Sequence, residues 1–316
     1  MYDLTILPSQ SHAVKTIVVG NLSVGGTGKS PFVSHLMSLL ESEIKLGVLS
    51  RGYGRNTKGF YSVTSSSLAN EVGDEPLMFH ELGSDKINVA VCENRNKGMK
   101  QLVSKFPNTE CVILDDAFQH RQLNAGFNIL LTTFQNPFFY DFILPAGNLR
   151  ESRMGAIRSN VIIVTKCPEN LSESQKEVFQ KKLYKYHKPV FFSKIIYGEL
   201  KSFTYSIENI NSVLIVAGIA NPDTMVSYLK SHYRVKEFLF SDHHNYTLED
   251  IQKIHQKFDT FVSESKAIVT TFKDYMRLKD KRSEWGLDKY PWYILPISIE
   301  IDREKEFVKL VKEYVG

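Results

Sequence analysis

A glycine-rich stretch that ends in a lysine and a serine is suited to one task above others, the holding of phosphate. Residues Gly25, Gly26, Thr27, Gly28, Lys29, Ser30 and Pro31 form such a stretch. Glycines let successive backbone N–H groups turn inward on an anion. Lys29 brings a point charge to the β and γ phosphates, and the Ser30 hydroxyl can ligate Mg²⁺. Upstream, the β-branched Ile17, Val18 and Val19 favour a strand buried on both faces. Downstream, Phe32, Leu36, Leu39 and Leu40 recur at helical spacing. Strand, glycine loop and helix in that order is the context of a P-loop. Ser23 stands where the first glycine of G-x-x-x-x-G-K-[ST] would fall, so the match is imperfect.

The second chemical signal is a pair of acids. Cys111 to Leu114 is a short apolar strand that runs directly into Asp115 and Asp116. Downstream of a P-loop this is the Walker B arrangement, which delivers carboxylate to Mg²⁺ at the carboxyl edge of a parallel sheet. Uncompensated acids cost several kcal/mol to bury, so a purely structural role for the pair is weak. Other polar groups sit where strands end. Arg51 and Tyr53 follow the strand Lys45 to Ser50, Arg95 follows Ile87 to Cys92, and Gln119 and His120 follow the acid pair. Asp74 and Glu75 stand where a helix begins; taken alone, Asp74 reads as a helix cap. Between two further strands, Phe127 to Thr133 and Asn160 to Lys166, lies Phe138 to Arg153, aromatic first and then basic with Arg150, Glu151 and Arg153. Such a segment suits a ligand that is apolar at one end and anionic at the other.

The elements that must position these groups follow from composition and pattern. At 316 residues, with 42% hydrophobic and 23% charged side chains, the chain has material for about two globular domains. Apolar strands alternate with helical stretches across residues 16–190. That predicts an α/β fold, a mostly parallel sheet with helices on both faces. Composition shifts near Pro189. Pro189 to Tyr197 and Trp292 to Ile301 are long β-favouring runs that flank a smaller α/β block with strands at Ser212 to Ala217, Glu237 to Phe240 and Ala267 to Thr271. The expected division is residues 1–189 as nucleotide-binding domain, 190–201 with 292–302 as a two-stranded linker, and 202–291 as the smaller domain. Phe307, Leu310, Val311 and Tyr314 share one helical face, so a helix in residues 303–316 should dock back on the first domain.

Net charge is +4, yet Arg150 to Lys188 alone holds nine Lys and Arg against four Glu. Local positive charge points to an anionic partner at one place and not to coating by nucleic acid. Cys92, Cys111 and Cys167 have no C-x-x-C spacing and read as reduced, buried thiols of a cytosolic protein. Asp3 and the lack of a basic n-region argue against a signal peptide, and no apolar run is long enough to span a bilayer.

Together the motifs GNLSVGGTGKSP, LSRGYGR, GDEP, ENR, LDDAFQHRQL, LPAGNLRE, SDHH and TTFKD, in this order from Gly20 to Asp274, resemble those of the tetraacyldisaccharide 4'-kinase family of Gram-negative bacteria. The resemblance implies phosphoryl transfer from ATP, with Mg²⁺, to a sugar hydroxyl of an acylated, phosphorylated glucosamine disaccharide in lipid A assembly. It also implies two α/β domains joined by a two-stranded linker, and a catalytic pair, Asp74 and His243, working with Lys29 and Asp116. Ser30, Asp115 and Asp116 are then the expected metal ligands. Arg51, Tyr53, Glu75, Arg95, Gln119, His120, Arg150 and Glu151 are the expected substrate contacts. A monomer on the cytoplasmic face of the inner membrane is expected. Family members usually begin with a membrane-associating helix, whereas only 15 residues without such a pattern precede Thr16. Peripheral contact is therefore expected through the substrate and the basic segment after Arg150.

Two other P-loop classes fit the sequence less well. A partitioning-type ATPase switch carries a signature lysine where this chain has Val24. A GTP-binding metallochaperone wants N-K-x-D and close metal ligands, and Val164-Thr165-Lys166-Cys167 resembles the first only faintly. The P-loop reading has a direct check. Lys29→Ala should lower kcat/KM for phosphoryl transfer by about a hundredfold or more, because fixed charge at the transferring group is lost. Near-normal turnover would remove this loop from the phosphate site.

Overall fold

The computed structural model describes residues 9–316. The N-terminal reading above rests partly on residues 1–8, which lie outside the described residues. The chain starts with β1 (Lys15–Asn21), buried from Thr16 onward, and passes through the glycine loop into α1 (Lys29–Leu40). Next come β2 (Leu46–Ser50), β3 (Tyr61–Ser62), α2 (Ala69–Val72), α3 (Asp74–Leu82), β4 (Ile87–Val91) and α4 (Arg95–Lys105). After these follow β5 (Cys111–Asp115), β6 (Phe127–Thr133), β7 (Val161–Thr165), α5 (Glu173–Leu183) and β8 (Val190–Tyr197). A second block holds β9 (Lys201–Ser202), β10 (Ser212–Ala217), α6 (Asp223–His232), β11 (Arg234–Leu239), α7 (Leu248–Asp259), β12 (Lys266–Thr271), α8 (Phe272–Leu278) and β13 (Trp292–Leu295). The chain then returns through β14 (Ile297–Ile301) and ends in α9 (Glu304–Val315).

Two sheets result, as the alternation of strand and helix predicts. The larger has the order β14-β8-β7-β6-β1-β5-β2-β4-β3 and is parallel from β8 to β4, with antiparallel β14 and β3 at its edges. The P-loop strand β1 lies centrally between β5 and β6. β2, β5 and β7 are buried at every residue, which a parallel sheet covered on both faces requires. One face packs Val48, Ile113 and Ile129 under Phe32, Leu36 and Phe79; the other packs Leu49, Leu114 and Val164 under Met99, Phe138 and Phe179. The smaller sheet, β11-β10-β12-β13-β9, is parallel except for its edge strand β9.

Several boundaries depart from expectation. The stretch 292–302 divides at Pro296: Trp292–Leu295 joins the smaller sheet beside β12, and only Ile297–Ile301 pairs with β8. Proline lacks the N–H that would continue the ladder, so the run breaks there. β11 begins at Arg234, three residues before the expected Glu237, because its residues are half-buried and carry no apolar signal at the start. The cap of α3 is Gly73, at φ 94, so Asp74 is the first helical residue and its side chain is not spent on capping. Pro222 holds the cap position of α6, with Asn221 Oδ1 accepting from Asp223 N beside it, and Thr247 caps α7.

α9 docks on the large sheet beside α1. The Phe307 ring meets Phe32 and Phe191 edge-on at 5.8 and 5.7 Å, and Tyr314 stacks on Phe127 at 5.4 Å. The Tyr314 hydroxyl accepts from Thr16 N, and Lys15 Nζ donates to Val315 O. A Cβ at Gly126 would lie 2.0 Å from the Tyr314 hydroxyl, so that position must stay bare. Phe307→Ala should destabilise the protein by about 3–5 kcal/mol, transfer and cavity terms together, read by chemical denaturation. A loss under about 1 kcal/mol would show that α9 is only loosely docked.

Candidate active site

The site is built where strands of both sheets end. At the carboxyl end of β1 the loop turns on Gly25 (φ 94) and Gly28 (φ 83), conformations that side chains other than glycine rarely adopt. Ser23 needs no such freedom. It pairs its backbone with Leu149, and Val24 N donates to Asn148 O at 2.8 Å, so the 143–150 loop braces this flank. Pro31 falls in the first turn of α1, where a missing N–H costs nothing. Buried Asn21 donates to Thr27 Oγ1, and Thr165 Oγ1 donates to Thr27 O, both at 2.8 Å.

Lys29 lies 3.5 Å from Asp116 Oδ1, and Arg150 Nη1 donates to both Asp116 oxygens at 3.1 Å. Burial pushes the Asp116 carboxyl up, but Lys29 and Arg150 outweigh it and hold the group below its ordinary range. Asp115 has the opposite fate. It is the last residue of β5, fully enclosed, and burial with the charges of Glu75 and Asp116 pushes it up to about 7. Its Oδ2 accepts from the Ser50 hydroxyl, while its buried Oδ1 has no partner. The two neighbouring acids are therefore electrostatically distinct: Asp116 is neutralised by cations, and among the described residues none contacts the Asp115 carboxyl.

The remaining groups come from a close backbone approach. Gly52 and Gly73 touch so tightly that a Cβ on Gly52 would lie 2.8 Å from Val72 O, and one on Gly73 would lie 3.2 Å from Gly52 Cα. This contact of the Arg51–Arg55 loop with the start of α3 sets Tyr53 near Asp74. The smaller sheet then supplies partners from the segments that follow β11 and β12. His243 Nδ1 lies 3.1 Å from Asp74 Oδ2, across 169 positions of sequence. Arg277 of α8 donates to the same oxygen through Nε at 2.9 Å and through Nη2. Lys273, one turn earlier, reaches Glu75 Oε1 at 3.1 Å and His243 Nε2 at 3.3 Å. A lysine can only donate, so Nε2 is the acceptor and Nδ1–H faces Asp74. The Tyr53 ring packs on the imidazole at 5.0 Å. Ser30 Oγ donates to Glu75 Oε1, which links this network to the P-loop. Burial raises the Asp74 carboxyl, but the hydrogen bond from His243 and the charges of Lys273 and Arg277 hold it well below the carboxylate range.

Arg277 itself is seated by Asp274. That fully buried carboxylate accepts from Arg277 Nη1, Gly218 N, Tyr246 Oη and Thr271 Oγ1. Arg277 is the site residue that motif reading missed. Its signal was available: Lys273 and Arg277 stand at i and i+4 of a helix that opens at a strand's carboxyl end, where α/β ligands gather.

Other expected contacts scatter. Arg51 is exposed at the mouth and has no hydrogen-bond or ion-pair partner among the described residues. Gln119 donates to Asn21 O and Glu151 Oε1, and Glu151 also pairs with Arg158. His120 meets Glu93 O. Arg95, another expected contact, is only 1% exposed and donates to Cys92 O and Asp115 O, bracing strand ends. Arg150 faces Asp116 and so belongs with the phosphate side of the site. The aromatic stretch also divides. Phe138 and Phe139 are core residues, while Tyr140 and Phe142 are 57% and 63% exposed. Cys92 and Cys111 are buried free thiols and Cys167 is half-buried; burial pushes Cys111 and Cys167 up to about 12. No helix among the described residues is long and apolar enough to cross a membrane.

Comparison with known proteins places the whole chain in one family. The sequence profile of the tetraacyldisaccharide-1-P 4'-kinase family (LpxK) matches residues 1–316. The tetraacyldisaccharide 4'-kinase of Flavobacterium psychrophilum is 40% identical over 324 residues, covering 100% of this chain and 91% of its own. That of Bacteroides fragilis is 40% identical over 316 residues, covering 95% and 84%. Among solved structures, LpxK from Aquifex aeolicus in complex with ATP superposes with a TM-score of 0.75 at 28% identity, covering 100% of this chain and 93% of that one. The chain belongs to the tetraacyldisaccharide-1-P 4'-kinase family.

Proposed function

We propose that this protein transfers the γ-phosphoryl group of ATP to the 4'-hydroxyl of a tetraacylated glucosamine disaccharide 1-phosphate, giving the bisphosphate precursor of lipid A. The observation that carries the reading is the Asp74–His243 contact at 3.1 Å, joined through Lys273, Glu75 and Ser30 to the P-loop. It brings an acceptor-binding carboxylate from one sheet and an imidazole from the other to the place where a γ-phosphate would end. A partitioning-type switch would not need this pair, and Val24 lacks its lysine. We read residues 9–189 with α9 as the kinase domain, residues 201–295 as the smaller one, and β8 with β14 as their connection.

The residues present fit Mg²⁺. The unpartnered Asp115 Oδ1 and the raised carboxyl call for a cation, with Ser30 and Glu75 alongside. Among the described residues no three His, Cys, Asp or Glu side chains form a closed cage, which suits an ion that keeps waters and nucleotide oxygens as ligands. Bound there, Mg²⁺ would neutralise charge on the β and γ phosphates. Lys29 and Arg150 add fixed positive charge, held ready on Asp116. Asp74, kept ionised by Arg277 and His243, has little basicity, so it serves first to align the hydroxyl. A loose phosphoryl-transfer transition state needs no more than late proton removal. His243 fixes the carboxylate, and Arg51 is free for an anionic group of the acceptor.

The exposed Tyr140, Phe142, Ile143 and Leu144, with Met154 and Ile157 on the following turn, supply the apolar surface for acyl chains. Arg153 lies over the Phe142 ring at 5.1 Å and Lys182 over Tyr140 at 5.4 Å, cations suited to phosphate headgroups at a membrane surface. ATP as donor puts that surface on the cytoplasmic face of the inner membrane.

Two outcomes test these roles. A carboxyl with a raised folded pKa costs stability as pH rises from its unfolded value of about 3.9 toward 7, and none below both. Asp115→Asn should therefore stabilise the metal-free protein by about 1–3 kcal/mol at pH 8 and much less at pH 5, while abolishing stabilisation by Mg²⁺-nucleotide. Equal effects at both pH values in thermal melts would refute the assignment. For the catalytic pair, Asp74→Ala and His243→Ala should each lower kcat by about 10²–10⁴-fold, with the double variant little worse than the poorer single one. Fully multiplicative losses at saturating ATP and lipid would mean that the two residues act independently.

A further inference from the structure

Lys166 ends the turn after β7 and has no part in the machinery above. Its backbone stands at φ 55, a region that costs energy for a residue with a side chain. Five other described non-glycine residues share a positive φ, and two of them, Asp116 and His243, belong to the site. Thr165 pins the end of β7 to the P-loop by its bond to Thr27 O, and a Cβ on Gly28 would lie 3.8 Å from Thr165 Cβ. The turn at Lys166 then carries its ammonium to the loop's middle. A Cβ built on Gly26 would lie 3.9 Å from Lys166 Nζ and 3.4 Å from Ala220 Cβ of the smaller block.

The charge is unanswered. Among the described residues Lys166 makes no hydrogen bond, ion pair or ring contact, and burial, with nothing to offset it, pushes its ammonium down. A half-buried cation without a counter-ion opposes folding unless an anion completes it. The anion the P-loop is shaped for is phosphate. We propose that Lys166 is a second phosphate-binding lysine of the nucleotide site, closing on the polyphosphate of ATP beside Gly26. This rests on the reading of the P-loop as the ATP site. Thr165-Lys166-Cys167-Pro168 then keeps the lysine of a purine-site turn but has Pro168 where a guanine-reading carboxylate would stand. The residue reads phosphate charge and not the base.

The experiment measures equilibrium binding of ATP, ADP and adenosine to the full-length protein by calorimetry, without lipid, for wild type, Lys166→Met, Lys166→Gln, Lys166→Arg and Lys29→Ala. Thermal melts without nucleotide run alongside. Lys166→Met and Lys166→Gln should weaken ATP at least tenfold, ADP less, and adenosine less than twofold, and Lys166→Arg should recover most of the loss. Both neutral variants should melt no lower than wild type, since they remove an uncompensated charge; a merely structural lysine would lower the melting temperature and leave ATP alone. Unchanged ATP affinity in the neutral variants, with affinity lost in Lys29→Ala, overturns the Lys166 assignment alone. Unchanged affinity in all of them overturns the P-loop reading with it. Equal losses for adenosine and ATP would move Lys166 to the base and also overturn the proposal.

Discussion

The Asp74 carboxylate is buried, ionised and bound on one oxygen by groups that belong to another sheet. A carboxylate in that position is tolerable only with cations in contact, and they arrive from one short helix, α8, and from the turn at His243. Much else in the molecule answers to this requirement. Asp274 exists at the core of the smaller block to seat Arg277, and Tyr246, Thr271 and Gly218 exist around Asp274 to satisfy it. Each charge is compensated by the next, so the network behaves as one unit.

The same contact orders the two sheets. Parallel sheets leave their useful polar groups at the carboxyl ends of strands, and here two such edges meet. Ion pairs run along the seam from Glu75–Lys273 through Asp74–Arg277 to Glu81–Lys279 at 2.9 Å. The acids lie on α3 and the bases on α8 and the residue just after it, Lys279, so attraction fixes which faces meet, and the glycine contact of Gly52 with Gly73 fixes how near α3 stands to the Tyr53 loop. Proximity of the P-loop and the Asp74 carboxylate follows from packing, with no separate device.

Charge is also sorted within the site. Asp115 and Asp116 are adjacent in sequence and alternate in direction along the strand end. One points into an acid-rich, dry interior and is pushed toward neutrality; the other meets Lys29 and Arg150 and is held ionised. A left-handed turn at Asp116, φ 46, makes the separation possible. Such divergent environments give two equivalent groups opposite charge states: Asp115 is pushed toward neutrality while Asp116 holds Lys29 and Arg150 in place.

By itself the sequence determined what depends on short-range order. Continuous apolar, β-branched runs and period-3.6 apolar patterns placed most of the strands and helices. Glycine spacing with Lys29 and Ser30 marked the phosphate loop, and the ordered motifs marked the family, because all of these are written in neighbouring residues. The tertiary structure decided what depends on distance in space. It turned Arg95 from an expected contact into a buried brace, because Cys92 and Asp115 carbonyls needed donors. It split the aromatic stretch, since Phe138 and Phe139 fill a gap beside Phe179 while Tyr140 and Phe142 do not. It gave Asp74 its partners, above all Arg277, 203 positions away. A lysine or arginine on a half-polar helix looks like any solvated surface cation until the fold sets a buried acid against it, and that pairing is a property of packing which no local pattern encodes.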